Sequence, residues 1–170
     1  MLQVCTRCSK MSVLDEVDMK IIRMLAGNSR LSLREIAREL GVAVSTVHAR
    51  LRKLVSSGVI HRFTILPDYD ALGYPITALI LVMVEGRHIE EAARRLAEDP
   101  HVVAVYDITG DYDIAVIAKF KSIPELNAFI KSVNKLFYIK RTITSIALRV
   151  IKEDPTSPII SGSSIAVEKT

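Results

Sequence analysis

The sequence predicts an α+β chain in two parts, a trihelical unit with one strand followed by a β-α-β-β-α-β run. Three observations predict it. Apolar residues recur at helical spacing as far as residue 57, and from residue 76 they gather into strand-like runs separated by two helical segments. Glycines, prolines and capping residues mark the changes between them. The charge divides at the same place: through Leu66 there are eleven Lys/Arg against five Asp/Glu, and from Pro67 onward twelve against fourteen. The formal charge of +4 is therefore a property of the first part, and a polyanion is its natural partner.

In the first part, Asp15 is a good N-cap for a helix that carries Val17, Ile21, Ile22, Met24 and Leu25 and ends near Gly27 and Asn28. Ser32 and Glu35 have the spacing of a capping box, with Leu33, Ile36, Ala37 and Leu40 turned inward and Gly41 as the stop. A third helix is expected over 44–57, with Val47, Leu51 and Leu54 as its buried stripe and Gly58 past its end. The β-branched "VIHRFTI" then reads as a strand. Together these make a unit of three helices plus a strand over 14–66, expected to be preceded by a flexible extension over 1–13.

A turn-rich "LPDYDALGYP" leads into the second part. Ile76–Val84 reads as an apolar strand, and "HIEEAARRLAED" as an amphipathic helix ended by Pro100. "VVAVYDIT" and "YDIAVIAKF" are strands on either side of Gly110 and Asp111. "PELNAFIKSVNKL" is a helix with Pro124 in its first turn, and "RTITSIALRVI" a last strand. This order is the split βαβ, ferredoxin-like arrangement, expected over 67–154. A tail over 155–170 keeps Ile159, Ile160, Ile165 and Val167 but has no assignable place.

On a 100° wheel with Val47 at zero, Ser45, Ala49, Arg52, Lys53 and Ser56 fall opposite the buried stripe, and Thr46 and His48 flank them. Short polar residues permit close approach to base edges, while long cations reach phosphates or guanine. The expected partner is double-stranded DNA, contacted by Ser45, Thr46, His48, Ala49, Arg50, Arg52 and Lys53. Arg50 lies beside the stripe, so a salt bridge within the domain, to Glu39, stands next to a phosphate contact for it.

The strands of the second part are apolar on both faces, which implies that the face without helices is covered by a second copy in a two-fold dimer. In "ITGDYD", Gly110 permits an unusual backbone angle whose neighbouring N–H groups can receive a carboxylate, and Asp113 supplies an anion. Together they could hold an α-amino acid. A hairpin with solubilising acids is the competing reading.

No P-loop, dinucleotide fingerprint or nucleophile elbow occurs, and no catalytic residues, metal or cofactor are expected. Cys5 and Cys8 form a lone "CTRC" without a second pair. The longest apolar run, 74–84, falls short of the ~20 residues that span a bilayer, and Arg7 and Lys10 interrupt the first ten residues. A cytoplasmic location with no membrane partner is expected. One Gln and three Asn fit a thermophile.

"LDEVDMKIIRMLAGNSRLSLREIARELGVAVSTVHARLRKLVSSGVIHRF", then "LPDYDALG", "VYDITGDYD" and "RTIT", resembles the Lrp/AsnC (feast/famine) transcription regulators over roughly residues 14–153. The resemblance implies a winged helix-turn-helix joined to a ferredoxin-like effector (RAM) domain, homodimers assembling into octamers, and an amino-acid effector bound between effector domains. It places Gly110, Asp111, Tyr112 and Asp113 in the effector pocket, with Thr142 and Thr144 as hydroxyl partners. Two positions depart from the family pattern: Ala43 stands where a Ser N-cap is common, and "LVSSG" replaces a more acidic helix end. Siroheme decarboxylases resemble the same architecture and would need histidines in the second domain, where His88 and His101 are available. An effector-sensing interaction module without DNA binding is the other alternative.

Overall fold

The computed structural model describes residues 14–161; Cys5, Cys8, Ile165 and Val167 lie outside the described residues. The chain forms two compact units: one runs up to Leu66 and takes in the segment from Asp154, and the other is Pro67–Glu153.

The first unit is built on α1 (Glu16–Gly27), α2 (Leu33–Leu40) and α3 (Val44–Ser56). Both of the first two helices open with reciprocal caps. The Asp18 N–H donates to Asp15 at 2.9 Å and the Asp15 N–H to Asp18 at 3.3 Å. Likewise the Ser32 N–H donates to Glu35 at 2.7 Å and the Glu35 N–H to the Ser32 hydroxyl at 3.2 Å. Each box satisfies N–H groups that a helix start would otherwise leave orphaned. Gly41, at φ 65°, turns the chain left-handed between α2 and α3, a conformation costly for any residue with a Cβ. Val47 and Leu54 close on Ile21, Leu25, Ile36 and Ala37, while Leu51 packs at the margin. Each large side chain in that core contributes ~1.5–3 kcal/mol of burial.

The strand expected over 59–65 does not form. The Ile60 N–H donates to the Leu54 carbonyl at 3.0 Å, and Phe63, Ile65 and Leu66 stay exposed. β-Branched residues make a strand only where a neighbour completes the ladder, and the described residues of this unit offer none.

The second unit follows the order β1 (Ile76–Val84), a 3-10 turn Gly86–His88, α4 (Ile89–Ala97), β2 (Val102–Asp107), β3 (Ile114–Phe120), α5 (Ile123–Val133), β4 (Ile139–Ile146). The strands form one antiparallel sheet in the order β2-β3-β1-β4. Ala78, Ile80, Val82 and Val84 point to one face and are buried with Ala92, Leu96, Leu126, Phe129 and Val133 of the two helices. The last strand begins two residues earlier than its sequence pattern suggests and stops at Ile146, although the Ala147 N–H still donates to the Thr77 carbonyl of β1 at 2.9 Å.

On the face without helices, Leu79 is 45% and Ile143 37% exposed, and Leu81, Met83, Ala115 and Ile117 are half-buried. That face is not uniformly open. Lys119 is 3% exposed there, with its Nζ 3.0 Å from the Thr77 hydroxyl, 2.5 Å from Glu153 and 4.7 Å from the centre of the Tyr69 ring. The chain thus covers that end of the face itself. The remaining described element, α6 (Ser157–Ser161), packs on α1, so the described part of the tail, 155–161, belongs to the first unit.

Candidate DNA-contact face and effector loop

On α3, burial of Val47 and Leu54 leaves Ser45, His48, Ala49, Arg52 and Lys53 exposed, with Thr46 half-buried at the flank. A groove of about 370 Å³ lined by Leu51, Val55 and Phe63 runs along the later half of this helix, beside His48 and Arg52. The short polar residues lie in its front half and the cations Arg52 and Lys53 in its later half. Arg52 and Lys53 enter none of the ion pairs among the described residues, and the same holds for Arg34 and Arg38 on α2 and for Arg62. These last three are cations that wheel geometry on α3 alone could not find. The first helix of such a motif crosses the DNA backbone, which is where Arg34 and Arg38 would act. The signal available in the sequence was the charge surplus of the whole segment.

Arg50 makes the salt bridge within the domain that was one of its two expected roles, with Asp15 and Asp18 in place of Glu39: its guanidinium lies 2.5 Å from Asp15 and 2.9 Å from Asp18, tying α3 to the N-terminal cap of α1. Asp18 is buried, and hydrogen bonding to Arg50 holds the Asp15 carboxyl below its ordinary value. Arg50 is therefore a brace that positions the contact helix.

In the second unit, Gly110 has φ 119° and Asp111 is exposed beside it, with Tyr112 and Asp113 half-buried. The loop is pinned at its base. The Ile108 N–H donates to the Asp113 carbonyl at 2.9 Å, and the Asp113 N–H donates to the Val82 carbonyl at 3.1 Å. The Asp113 side chain, expected to be free for a ligand, accepts the Val84 N–H at 2.7 Å through one oxygen, at the point where the β1–β4 register shifts. Its second oxygen has no bond among the described contacts. Thr142 and Thr144 pair across β4 with Val82 and Ile80 and so share the helix-covered face. Thr142 donates to Asn134 at 3.1 Å. The structure therefore does not bring the threonines to the Gly110 loop within one chain, since two strand spacings, ~10 Å, intervene.

His88 and His101, the histidines a tetrapyrrole enzyme would need, are held by structural neighbours. His88 stacks on Tyr138 at 5.3 Å and meets Glu91 at 3.0 Å; His101 bridges Asp99 at 2.8 Å and Glu125 at 3.0 Å. Among the described residues no three His, Cys, Asp or Glu are grouped to hold a metal, and no helix is long and apolar enough to cross a membrane.

A helix-turn-helix with a cationic outer face, joined to a ferredoxin-like domain with a glycine loop, defines a transcriptional regulator with separate DNA-binding and ligand-binding parts. Residues 14–61 match the winged helix-turn-helix DNA-binding family, and 77–157 match the Lrp/AsnC ligand binding domain. The chain is 48% identical over 141 residues to an HTH-type transcriptional regulator of the thermophilic archaeon Pyrococcus furiosus, covering 83% of this chain and 95% of the relative. The structure of AsnC from E. coli is 27% identical with a TM-score of 0.75, covering 83% of this chain and 96% of that one. A transcriptional regulator from Neisseria meningitidis in complex with L-Met, 23% identical, shares the fold with a TM-score of 0.75 over 84% of this chain and 94% of that one. The chain belongs to the Lrp/AsnC family of transcriptional regulators and is not an enzyme.

Proposed function

We propose that the chain acts as a two-fold dimer, reading double-stranded DNA with paired α3 helices and sensing an amino-acid effector held between its sheet domains. The observation that carries this reading is the outer face of α3, where Ser45, His48, Ala49, Arg52 and Lys53 lie exposed opposite the buried Val47 and Leu54. Thr46 completes the face. Arg50 acts indirectly, by fixing the helix. Two-fold heads would read half-sites about one helical turn, ~34 Å, apart.

The open part of the sheet face, Leu79, Leu81, Ile117 and Ile143, supports dimerisation, because apolar strand faces left in water are costly. Dimers assemble further, up to an octamer. At the effector site, the Gly110 loop amides take the ligand carboxylate, and the remaining oxygen of Asp113 takes the ammonium, flanked by Asp111 and Tyr112. Thr142 and Thr144 join this site from a second copy. An amino acid as effector class gains support from the L-Met complex of the Neisseria fold relative. The protein works in the cytoplasm, beside its DNA.

Calorimetry of the full chain against a panel of amino acids tests the effector reading. Asp113→Asn keeps an acceptor for the Val84 N–H and removes the charge, so effector affinity should fall tenfold to a hundredfold, about 1–3 kcal/mol. Equal affinities would remove Asp113 from the site, and no heat with any amino acid would leave the domain as an assembly platform. Mobility shifts on the region upstream of its own gene test the DNA reading; no shift would favour the interaction-module alternative.

A further inference from the structure

Charge within the second unit is segregated. Residues 67–125 carry eleven acids against five cations, whereas 126–152 carry Lys131, Lys135, Lys140, Arg141, Arg149 and Lys152 and not one Asp or Glu. The fold lays this acid-free stretch along one border, because β4 is an edge strand of the sheet. Lys131 occupies the last turn of α5, Lys135 follows its end, and Lys140 and Arg141 lie at the beginning of β4. The Thr142 hydroxyl donates to Asn134 at 3.1 Å, knitting the end of α5 to β4, so these four cations belong to the segments where α5 ends and β4 begins. Arg149 follows the far end of the strand.

Lys131, Lys135, Lys140, Arg141 and Arg149 are all exposed, and none takes part in an ion pair among the described residues. The cations of α4 and its leading turn behave oppositely. Arg87, Arg94 and Arg95 pair with Glu85, Glu90 and Glu98. Helix-end electrostatics accounts for Lys131 and Lys135, and protection of a sheet edge for one or two strand cations. Neither accounts for five exposed cations of this stretch standing outside every ion pair among the described residues. At ~3.3 Å per residue β4 is ~26 Å long, and with its flanking cations the row approaches one turn of a DNA duplex, ~34 Å.

We propose that this border is a second phosphate-contact surface for the backbone of duplex DNA, in addition to the one on α3. The proposal rests on the DNA reading of α3. Duplex is favoured over single strands because stacking binders present a series of exposed rings, and this border offers Phe137 alone among its described residues. The contact is by charge and carries no base specificity.

The test uses the full chain and the salt dependence of binding to two random-sequence duplexes. One is about 20 base pairs, two turns, which the heads alone cover; the other is about 150 base pairs, one persistence length. The triple variant K135Q/K140Q/R141Q should lose about 2–3 units of slope on the long duplex, close to 0.9 per phosphate contact, and bind the short one as wild type does. The variant R87Q/R94Q/R95Q removes the same charge from the ion-paired helix and should change neither slope. A wild-type slope in the border variant, an equal loss in the control, or a loss seen only on single-stranded RNA would each overturn the proposal. A wild type that binds neither duplex would instead overturn the reading of α3. All six substituted positions are exposed, and matching circular dichroism confirms that the variants fold.

Discussion

Arg50 and Arg52 stand two positions apart on α3, and 200° of helical phase sends one to the interior border and the other to solvent. Asp18, 1% exposed, depends on Arg50 for its counter-charge. Arg50→Met should therefore cost about 2 kcal/mol in urea unfolding, below the full figure for a buried pair because the arginine side chain is 29% exposed. Arg52→Gln with Lys53→Gln should leave stability within about 0.5 kcal/mol and lower the salt slope of DNA binding by about 2 units. A large stability loss in the double variant would place those cations in the fold and not on DNA. His101 carries a pH prediction. Burial alone would lower its pKa, but the carboxylates of Asp99 and Glu125 outweigh burial and hold it above the ordinary 6.5. Its contribution is then complete below pH 6.5 and disappears as pH rises through the folded value. Glu125 is held below the ordinary 4.5 by the Lys121 N–H and by His101, so its contribution is present above pH 4.5 and lost as pH falls through the folded value. Urea midpoints on both sides of neutrality should decline with rising pH in the wild type and do so less in His101→Gln.

Among the helices, α3 begins at Ala43 without a side-chain cap, whereas α1, α2 and α5 open with Asp15, Ser32 and Ser122 accepting from backbone N–H groups. Ala43→Ser should stabilise the chain by about 0.5–1 kcal/mol, read as a shifted unfolding midpoint; an unchanged or lowered midpoint would mean that another group already satisfies those N–H donors. The capping boxes and glycine stops were legible in the sequence because each involves residues three or four positions apart. The strand over 59–65 was misread for the opposite reason. Its β-branched composition is local, but a strand exists only with a partner ladder, which composition does not reveal.

For the whole molecule, the unpartnered apolar sheet face leads to an assembly prediction. Leu79→Arg with Ile143→Arg should convert the assembled protein to monomers by light scattering, with circular dichroism unchanged, since both positions are already partly open in the single chain. Retained assembly would move the interface elsewhere. The apolar character of that face was visible in Leu79, Leu81, Ile117 and Ile143. Lys119 was not singled out, because its burial depends on Tyr69 and Glu153, which arrive from opposite ends of the domain.

Periodicity, caps and charge surplus determined the helices, the sheet-domain order, the outer face of α3 and the identity of the glycine loop, because each is written in residues within a turn or two of one another. Tertiary structure alone decided which side chains remain available. Arg50 meets carboxylates 35 and 32 residues away, Asp113 is claimed by a backbone N–H 29 residues away, and Thr142 faces the helices instead of the loop. Charges and hydrogen-bonding groups act through space with whatever segment the fold brings alongside, and the spacing of residues along a chain does not contain that neighbour.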